Sequence, residues 1–245
     1  MRSTGLFAGI HLAGNALLLW LGYYWLGLGE SRAGALLWSV LVAAFLVCLT
    51  CLLYGASFAF FAGRSVKAAF AAAQRHLAPL VAVAIALLAV YVLLLRFADA
   101  MDNPGFRLAS WLTLKLRKPV KPATVQGIFH AVFWVVRWAV VPVLILPMVS
   151  AIASRGWAGF QAIASRCRVW RYWIEVPGLL LVALWEPLKL IGWVPHMHSF
   201  GGEMTSFVIR ATVAYLLFVA GWLVLAFVTS GGKPRLTQPS TVSSP

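Results

Sequence analysis

The stretch Leu77-Ala-Pro-Leu-Val-Ala-Val-Ala-Ile-Ala-Leu-Leu-Ala-Val-Tyr-Val-Leu-Leu-Leu95 decides the fold, because its 19 residues include no charged side chain. As a helix it would be about 28 Å long, which matches the hydrocarbon thickness of a bilayer. Further apolar runs lie near 5–28, 34–63, 124–150, 174–194 and 205–229. The sequence therefore predicts an all-α, polytopic transmembrane helix bundle of about six spans, forming one domain over residues 1–229.

Composition gives the same answer. The chain has 245 residues, of which 62% are apolar and 11% charged, and its mean hydropathy is +0.89. A soluble protein of this size needs many more polar side chains to cover its surface. These values exclude a soluble enzyme, a disordered chain and a disulfide scaffold. Only the tail, residues 230–245, is rich in Ser, Thr and Pro and is predicted to be disordered.

The gap between the third and fourth runs, residues 96–123, is the longest. Its Leu112–Arg117 part alternates with a period of two, which fits a short strand as well as a surface helix. Because membrane spans flank it, we expect an interfacial amphipathic helix. The first run, 5–28, is longer than a signal-peptide core and has no cleavage pattern after it, which indicates a retained span.

Basic residues outnumber acidic ones by 20 to 6, and they cluster in the gaps between apolar runs. This pattern is typical of loops that contact anionic lipid head groups, so no nucleic-acid partner is predicted. Counting Lys and Arg gives ten on one side and seven on the other, which predicts two cytoplasmic termini. Separately, the simple architecture leads us to expect a bacterial-type inner membrane. The predicted head-group contacts are Arg155, Arg166, Arg168, Arg171, Lys115, Arg117 and Lys118.

Arg137 is the most conspicuous ionisable residue within a span. It lies near the middle of Phe129–Pro142, where a charge is costly, and His130 shares its helix face. The acids within spans are Glu175 and Glu186, which makes them its expected partners. Two interpretations remain open: an ion pair that fixes helix packing, or a substrate or proton site.

The sequence Glu186-Pro187-Leu188-Lys189 interrupts the fifth run. Proline removes a backbone donor, so carbonyl groups near Ala183 are expected to lose their partners. A broken helix with charges beside it has the character of a transporter site, although inert proline kinks are also common. Lys189 reaches the membrane surface if this span is short, and Arg210, near the start of the last run, is expected to do the same.

His11 and Asn15 lie four residues apart and face one direction, which predicts hydrogen bonds between helices. Small residues repeat every fourth position at Gly5-x3-Gly9-x3-Ala13 and at 55–63. Such faces allow close helix packing, or association into a homo- or hetero-oligomer.

Two further motifs have weaker meaning. Cys48 and Cys51 form a C-x-x-C pattern, but their apolar setting favours packing over redox chemistry. His196 and His198, with Glu203 nearby, offer metal-binding atoms in an unspecific spacing. Nucleotide-binding and hydrolase motifs are absent from the sequence, so no catalytic residue, metal or cofactor is predicted.

Two classes of function compete. The first is a permease-like transporter or a non-catalytic membrane subunit of a complex, with a purely structural role for Arg137 as a variant. The second is a membrane-embedded enzyme that acts on lipid through His130 or the His196/His198 pair. A water-accessible cavity near mid-depth that is lined by Arg137 and a glutamate would favour transport, and a histidine that meets a carboxylate at head-group depth would favour the enzyme. Arg137 sealed by Glu175 or Glu186, with no cavity, would favour the structural role.

Overall fold

The computed structural model describes residues 2–29, 32–162, 170–195 and 199–231, and all regular structure within these ranges is helical. Arg166, Arg168, His196, His198 and the tail from residue 232 onward lie outside the described residues. The α-helices are α1 (Arg2–Leu26), α2 (Ala33–Phe61), α3 (Val66–Arg75), α4 (Leu77–Ala100), α5 (Asp102–Leu116), α6 (Pro122–Val135), α7 (Val141–Arg155), α8 (Tyr172–Leu180), α9 (Glu186–Gly192) and α10 (Phe200–Ser230).

Five of the described helical runs are long and apolar enough to cross a membrane: Ser3–Leu26, Ala33–Phe61, Leu77–Leu116, Pro122–Gln161 and Phe200–Ser230. Their apolar side chains are largely uncovered by protein; on α4, for example, Leu88 is 65% and Leu93 56% exposed. Exposed apolar surface of this extent requires lipid around it. The predicted all-α transmembrane helix bundle is confirmed.

The predicted span 174–194 differs from these five. It is helical from Tyr172 to Gly192, but a π-helix at Leu181–Trp185 separates α8 from α9. It also carries Glu175, Glu186 and Lys189, and it is not among the five runs. A helix with two prolines and three charges is expected to depend on its neighbours for stability within a bilayer.

Helices α4 and α5 form one helical run of 40 residues, Leu77–Leu116. At the usual rise this run is about 60 Å long, twice the hydrocarbon thickness, so α5 extends past the core of the bilayer. The segment Leu112–Arg117 is therefore helix rather than strand, and it ends at Arg117 in the left-handed region (φ 51°). The placement of α5 at the membrane surface stays a prediction.

The chain reverses direction between the end of α5 at Leu116 and the start of α6 at Pro122, so that α5 and α6 form a helical hairpin. The Val120 N–H donates to Thr113 Oγ1 at 3.0 Å, and the Gln126 side chain donates to the Asp102 carbonyl at 3.3 Å. Further along the same pair of runs, the Tyr91 hydroxyl donates to the Arg137 carbonyl at 2.7 Å. These contacts fix α4–α5 antiparallel to α6–α7.

The protein core lies between α2, α4, α7, α8 and α10, and includes Phe58, Leu80, Val143, Ile152, Val176 and Leu225. Glycine permits the closest helix contacts: a Cβ added to Gly221 would lie 2.5 Å from Ala183 Cβ, and one added to Gly55 would lie 2.7 Å from Leu80. By contrast, a Cβ added to Gly5 or to Gly9 would have no atom of a described neighbouring residue within 4 Å. The predicted small-residue face of α1 is thus unoccupied, and association through it stays a prediction.

Candidate functional site

A cluster of polar side chains joins α1 to α2 inside the bundle. His11 is fully buried and Asn15 is 4% exposed. His11 Nε2 lies 2.8 Å from Ser57 Oγ, the Asn15 amide donates to the His11 carbonyl at 2.8 Å, and the Tyr54 hydroxyl donates to Asn15 Oδ1. The structure therefore brings the two predicted residues together with two partners from α2 that sequence reasoning missed.

Helix α10 completes the polar cluster. The Tyr215 hydroxyl donates to the Leu12 carbonyl of α1, and the Trp222 ring meets the Tyr54 ring edge-on at 4.5 Å. Polar groups buried in lipid are stable only when they find such partners. Helices α1, α2 and α10 are consequently tied together by hydrogen bonds at one level of the bundle.

A cleft of about 600 Å³ opens beside the polar cluster. Four polar side chains, Asn15, Thr50, Tyr54 and Tyr215, form part of its wall. The remainder is apolar and consists of Leu18, Leu19, Ala183, Leu184, Pro187, Leu188, Ile191, Ala211, Ala214 and Phe218. The cleft thus lies between α1 and α2 on one side and the α8–α9 region and α10 on the other.

A second, smaller cavity of about 130 Å³ lies on the far side of the same broken helix. Leu184 and Leu188 line both spaces, and the wall of the smaller one is otherwise formed by Trp134, Trp138, Ala139, Pro177, Leu180, Leu181 and Trp185. The segment from Leu181 to Leu188 therefore has open volume on two sides, which leaves room for it to move.

Two π-helices precede prolines in the helices around these cavities. Before Pro142, the Val141 N–H donates to the Val136 carbonyl, and before Pro187, the Glu186 N–H donates to the Leu181 carbonyl. Each bond reaches five residues back because proline cannot supply the next donor of a regular ladder. The break that the sequence predicted near Ala183 thus takes the form of one widened turn.

Arg137 lies in the first π-helix and is half-buried. Its Nε donates to the Phe133 carbonyl of its own helix at 3.4 Å, a long bond. Within the described ranges the ion pair formed at 4.0 Å or less is that of His130 with Asp102. The structure does not bring Glu175 or Glu186 to Arg137, and both carboxylates are on exposed residues.

His130 contacts a carboxylate at the start of the hairpin: its Nε2 lies 3.2 Å from Asp102 Oδ1. Both side chains are more than half exposed. Lys189 is also exposed, and its ammonium lies 5.3 Å from the centre of the Trp185 ring, a cation–π contact. None of these groups lines the cleft.

Arg210 is the charged residue that sequence reasoning placed wrongly. It is only 8% exposed, and its guanidinium donates to the carbonyls of Leu190 (3.3 Å), Ile191 (3.2 Å) and Trp193. The last carbonyls of a helix have no partners within it and carry partial negative charge. Arg210 therefore caps the end of α9 instead of reaching out to the head groups.

The predicted head-group contacts that the structure describes are accessible from outside the protein. Arg155, Arg171, Lys115, Arg117 and Lys118 are all exposed. Arg64 donates to the Ser154 carbonyl at 3.2 Å near the end of α7. Burial lowers the pKa of the neighbouring His76, and the charges of Arg64 and Arg75 lower it further, so a neutral imidazole is favoured there. Contact with anionic lipid stays a prediction.

The C-x-x-C pattern belongs to the interior: Cys51 is 8% exposed and packs in the core, and Cys48 is half-buried. The chain matches no protein-family model, no curated protein and no solved structure. Fold and site define a helical integral membrane protein with a partly polar cleft between its helices.

Proposed function

We propose that this chain is a non-enzymatic, permease-like membrane protein that takes a lipid-soluble ligand into the cleft. The observation that carries the proposal is the wall of the cleft, in which Asn15, Tyr54 and Tyr215 stand among apolar side chains. Small-molecule sites are usually concave and apolar with a few well-placed polar groups. A ligand dissolved in the bilayer meets such a site without first entering water.

The interrupted helix α8–α9 favours a carrier over a rigid receptor as the function of the protein. Ala183, Leu184, Pro187, Leu188 and Ile191 supply one whole wall of the cleft, and the π-helix interrupts that wall's hydrogen-bond ladder. In transporters, helices with an interrupted hydrogen-bond ladder often line the substrate site, and single π-turns are frequent at functional sites. A membrane subunit that holds a lipid for a partner protein would use the same cleft, and a ligand-dependent change at α9 would distinguish the carrier.

An enzyme acting on lipid is the second candidate, and the His130–Asp102 contact favours it. A histidine held by a carboxylate can transfer protons in catalysis. However, the pair is more than half exposed, and it lines neither the cleft nor the smaller cavity. A His130→Gln variant that changes the composition of the surrounding lipids, at unchanged protein abundance, would support this candidate over the carrier.

The cleft is tested by lipid-phase photolabelling in nanodiscs. The probe is a hexadecane chain that carries a diazirine and an alkyne, and labelled peptides are mapped by mass spectrometry. Ala211→Phe fills the cleft from α10, and Val213→Phe is the matched control because Val213 lies two residues away and is 42% exposed. Both variants are first checked for normal thermal unfolding.

We expect the label on cleft-lining peptides of α1, α2 and α9 to fall at least about fivefold in Ala211→Phe and to stay unchanged in Val213→Phe, because one added phenyl ring occupies the ligand's space. Equal labelling of these peptides in both variants, or no labelling of them in the unmodified protein, would overturn the proposed function.

A further inference from the structure

We infer that the ligand of the cleft is a neutral, lipid-soluble alcohol whose hydroxyl group meets Asn15, Tyr54 and Tyr215. This inference rests on the proposed function and adds the chemical class of the ligand. It follows from a count of the hydrogen-bond donors and acceptors that the wall still offers after its internal bonds are made.

The two phenols offer acceptors only. The Tyr54 hydroxyl donates its single hydrogen to Asn15 Oδ1, and the Tyr215 hydroxyl donates its single hydrogen to the Leu12 carbonyl. Both tyrosines line the cleft, and each phenol oxygen keeps lone pairs but no remaining hydrogen. A ligand atom that pairs with either oxygen has to be a hydrogen-bond donor.

Asn15 offers the complementary group. Its amide nitrogen has two hydrogens, and one is used in the bond to the His11 carbonyl. Asn15 is 4% exposed and lines the cleft, and the second amide hydrogen remains after the bond to His11 is counted. Thr50, on the same wall, adds a hydroxyl that donates or accepts. The wall as a whole requires a polar group that both donates and accepts.

The charge of the side chains in the wall restricts the polar group of the ligand further. Among the residues that the structure describes, no acidic or basic side chain lines the cleft. A carboxylate or phosphate that entered would lose its hydration without meeting a counter-ion, which is strongly unfavourable. The polar group of the ligand is therefore uncharged.

Among uncharged groups, a hydroxyl fits best. A ketone, ester or ether only accepts, so its lone pairs would face those of Tyr54 and Tyr215. A plain hydrocarbon would leave the Asn15 donor unpaired, which is costly in a water-free site. A hydroxyl donates to a phenol oxygen and accepts from Asn15 at once, while its chain lies along the apolar wall.

The test is a competition in nanodiscs against the hexadecane photoprobe. Hexadecanol, hexadecyl methyl ether and palmitic acid are compared as competitors, each read as the concentration that halves the label on cleft peptides. Label on peptides of the lipid-facing surface of α4 serves as the internal correction for partition into the bilayer. We expect hexadecanol to compete at about tenfold lower concentration than the ether, because the ether has lost one donated hydrogen bond.

Two variants show which side chain causes the preference for alcohol over ether. In Tyr215→Phe one acceptor is lost, and we expect the preference for alcohol over ether to fall to about threefold. Tyr23→Phe is the matched control, since Tyr23 is 81% exposed and does not line the cleft, and it should keep the full preference. The ratio is measured within one protein sample, so partial loss of folded protein does not change it.

Each outcome decides a different claim. Equal competition by alcohol and ether, or stronger competition by the acid, would overturn the alcohol while leaving ligand binding in the cleft intact. A cleft that the hexadecane probe does not label at all would overturn the proposed function itself. An unchanged alcohol preference in Tyr215→Phe would place the hydroxyl elsewhere and contradict the inference.

Discussion

Arg137 and Arg210 are both arginines within apolar helices, and the structure treats them in opposite ways. Arg210 is 8% exposed and donates to three carbonyls at the end of α9. Arg137 is half-buried and has one long bond, to the Phe133 carbonyl of its own helix. The residue that lies deeper in its apolar run is thus the less well partnered of the two.

This difference shows that depth along one helix does not decide what a buried charge does. The deciding feature is which part of a neighbouring helix the charge meets. Arg210 meets a helix end, where unpaired carbonyl groups attract a cation. Arg137 lies in a π-helix within the α6–α7 run, and among the described residues its guanidinium meets the Phe133 carbonyl of its own helix rather than the end of a neighbouring one.

The largest effect is expected for Arg210→Leu. It leaves the carbonyls of α9 without their donor, and we expect the free energy of unfolding to fall by about 3 kcal/mol. The measurement is the unfolding midpoint of purified protein in detergent micelles. Arg96→Leu is the control, because Arg96 is exposed at the end of α4. Equal losses in both variants would contradict the capping role.

Arg210→Lys sharpens the same point. Lysine keeps the charge but has a single nitrogen, whereas Arg210 bonds the end of α9 through Nη1 and the Ser206 carbonyl through Nε. We expect a loss of about 1.5 kcal/mol in the same assay, between the unmodified protein and Arg210→Leu. A lysine variant as stable as the unmodified protein would mean that charge alone, and not the use of two nitrogens, stabilises the end of α9.

Tyr91→Phe tests the contact that holds the Arg137 turn in place. Its hydroxyl donates to the Arg137 carbonyl at 2.7 Å, within the π-helix. We expect a loss of about 1 kcal/mol, the usual size for one hydrogen bond between helices. Tyr23→Phe, on an exposed tyrosine, is the control and should change nothing. If both variants unfold alike, the bond does not stabilise the turn.

Arg137→Leu is expected to have the smallest effect. Within the described part of the chain its side chain has one weak bond and no carboxylate within 4.0 Å, so its replacement should change the free energy of unfolding by less than about 0.5 kcal/mol. A loss close to that of Arg210→Leu would show that Arg137 has a partner in the folded protein, and would restore the ion pair predicted from the sequence.

The sequence predicts the membrane class because long uncharged runs such as Leu77–Leu95 have only one stable environment. It also places the break before Pro187, since the missing donor of proline acts within a single turn. The pairing of His11 and Asn15 on one face follows from helix periodicity in the same way. These are local properties that a sequence carries directly.

The partners of these residues are different, because they depend on how helices meet. Nothing in the chain near Arg210 indicates that it lies against the end of α9, and nothing near Asn15 indicates Tyr54, 39 residues away. Tyr54 and Tyr215 look like ordinary aromatic residues of membrane helices. Recognising the cleft required the crossing of α1, α2 and α10, which a single sequence does not specify.

The membrane bundle and its cleft both require apolar helices that face lipid, and footprinting from the lipid phase and from the water phase tests this directly. Protein in vesicles is exposed to a lipid-soluble carbene and, separately, to hydroxyl radicals in water. We predict that the carbene modifies Leu88 and Leu93 of α4, which are 65% and 56% exposed, while the radicals leave both untouched. Oxidation of these two leucines from the water side, without carbene labelling, would contradict the membrane bundle and the cleft together.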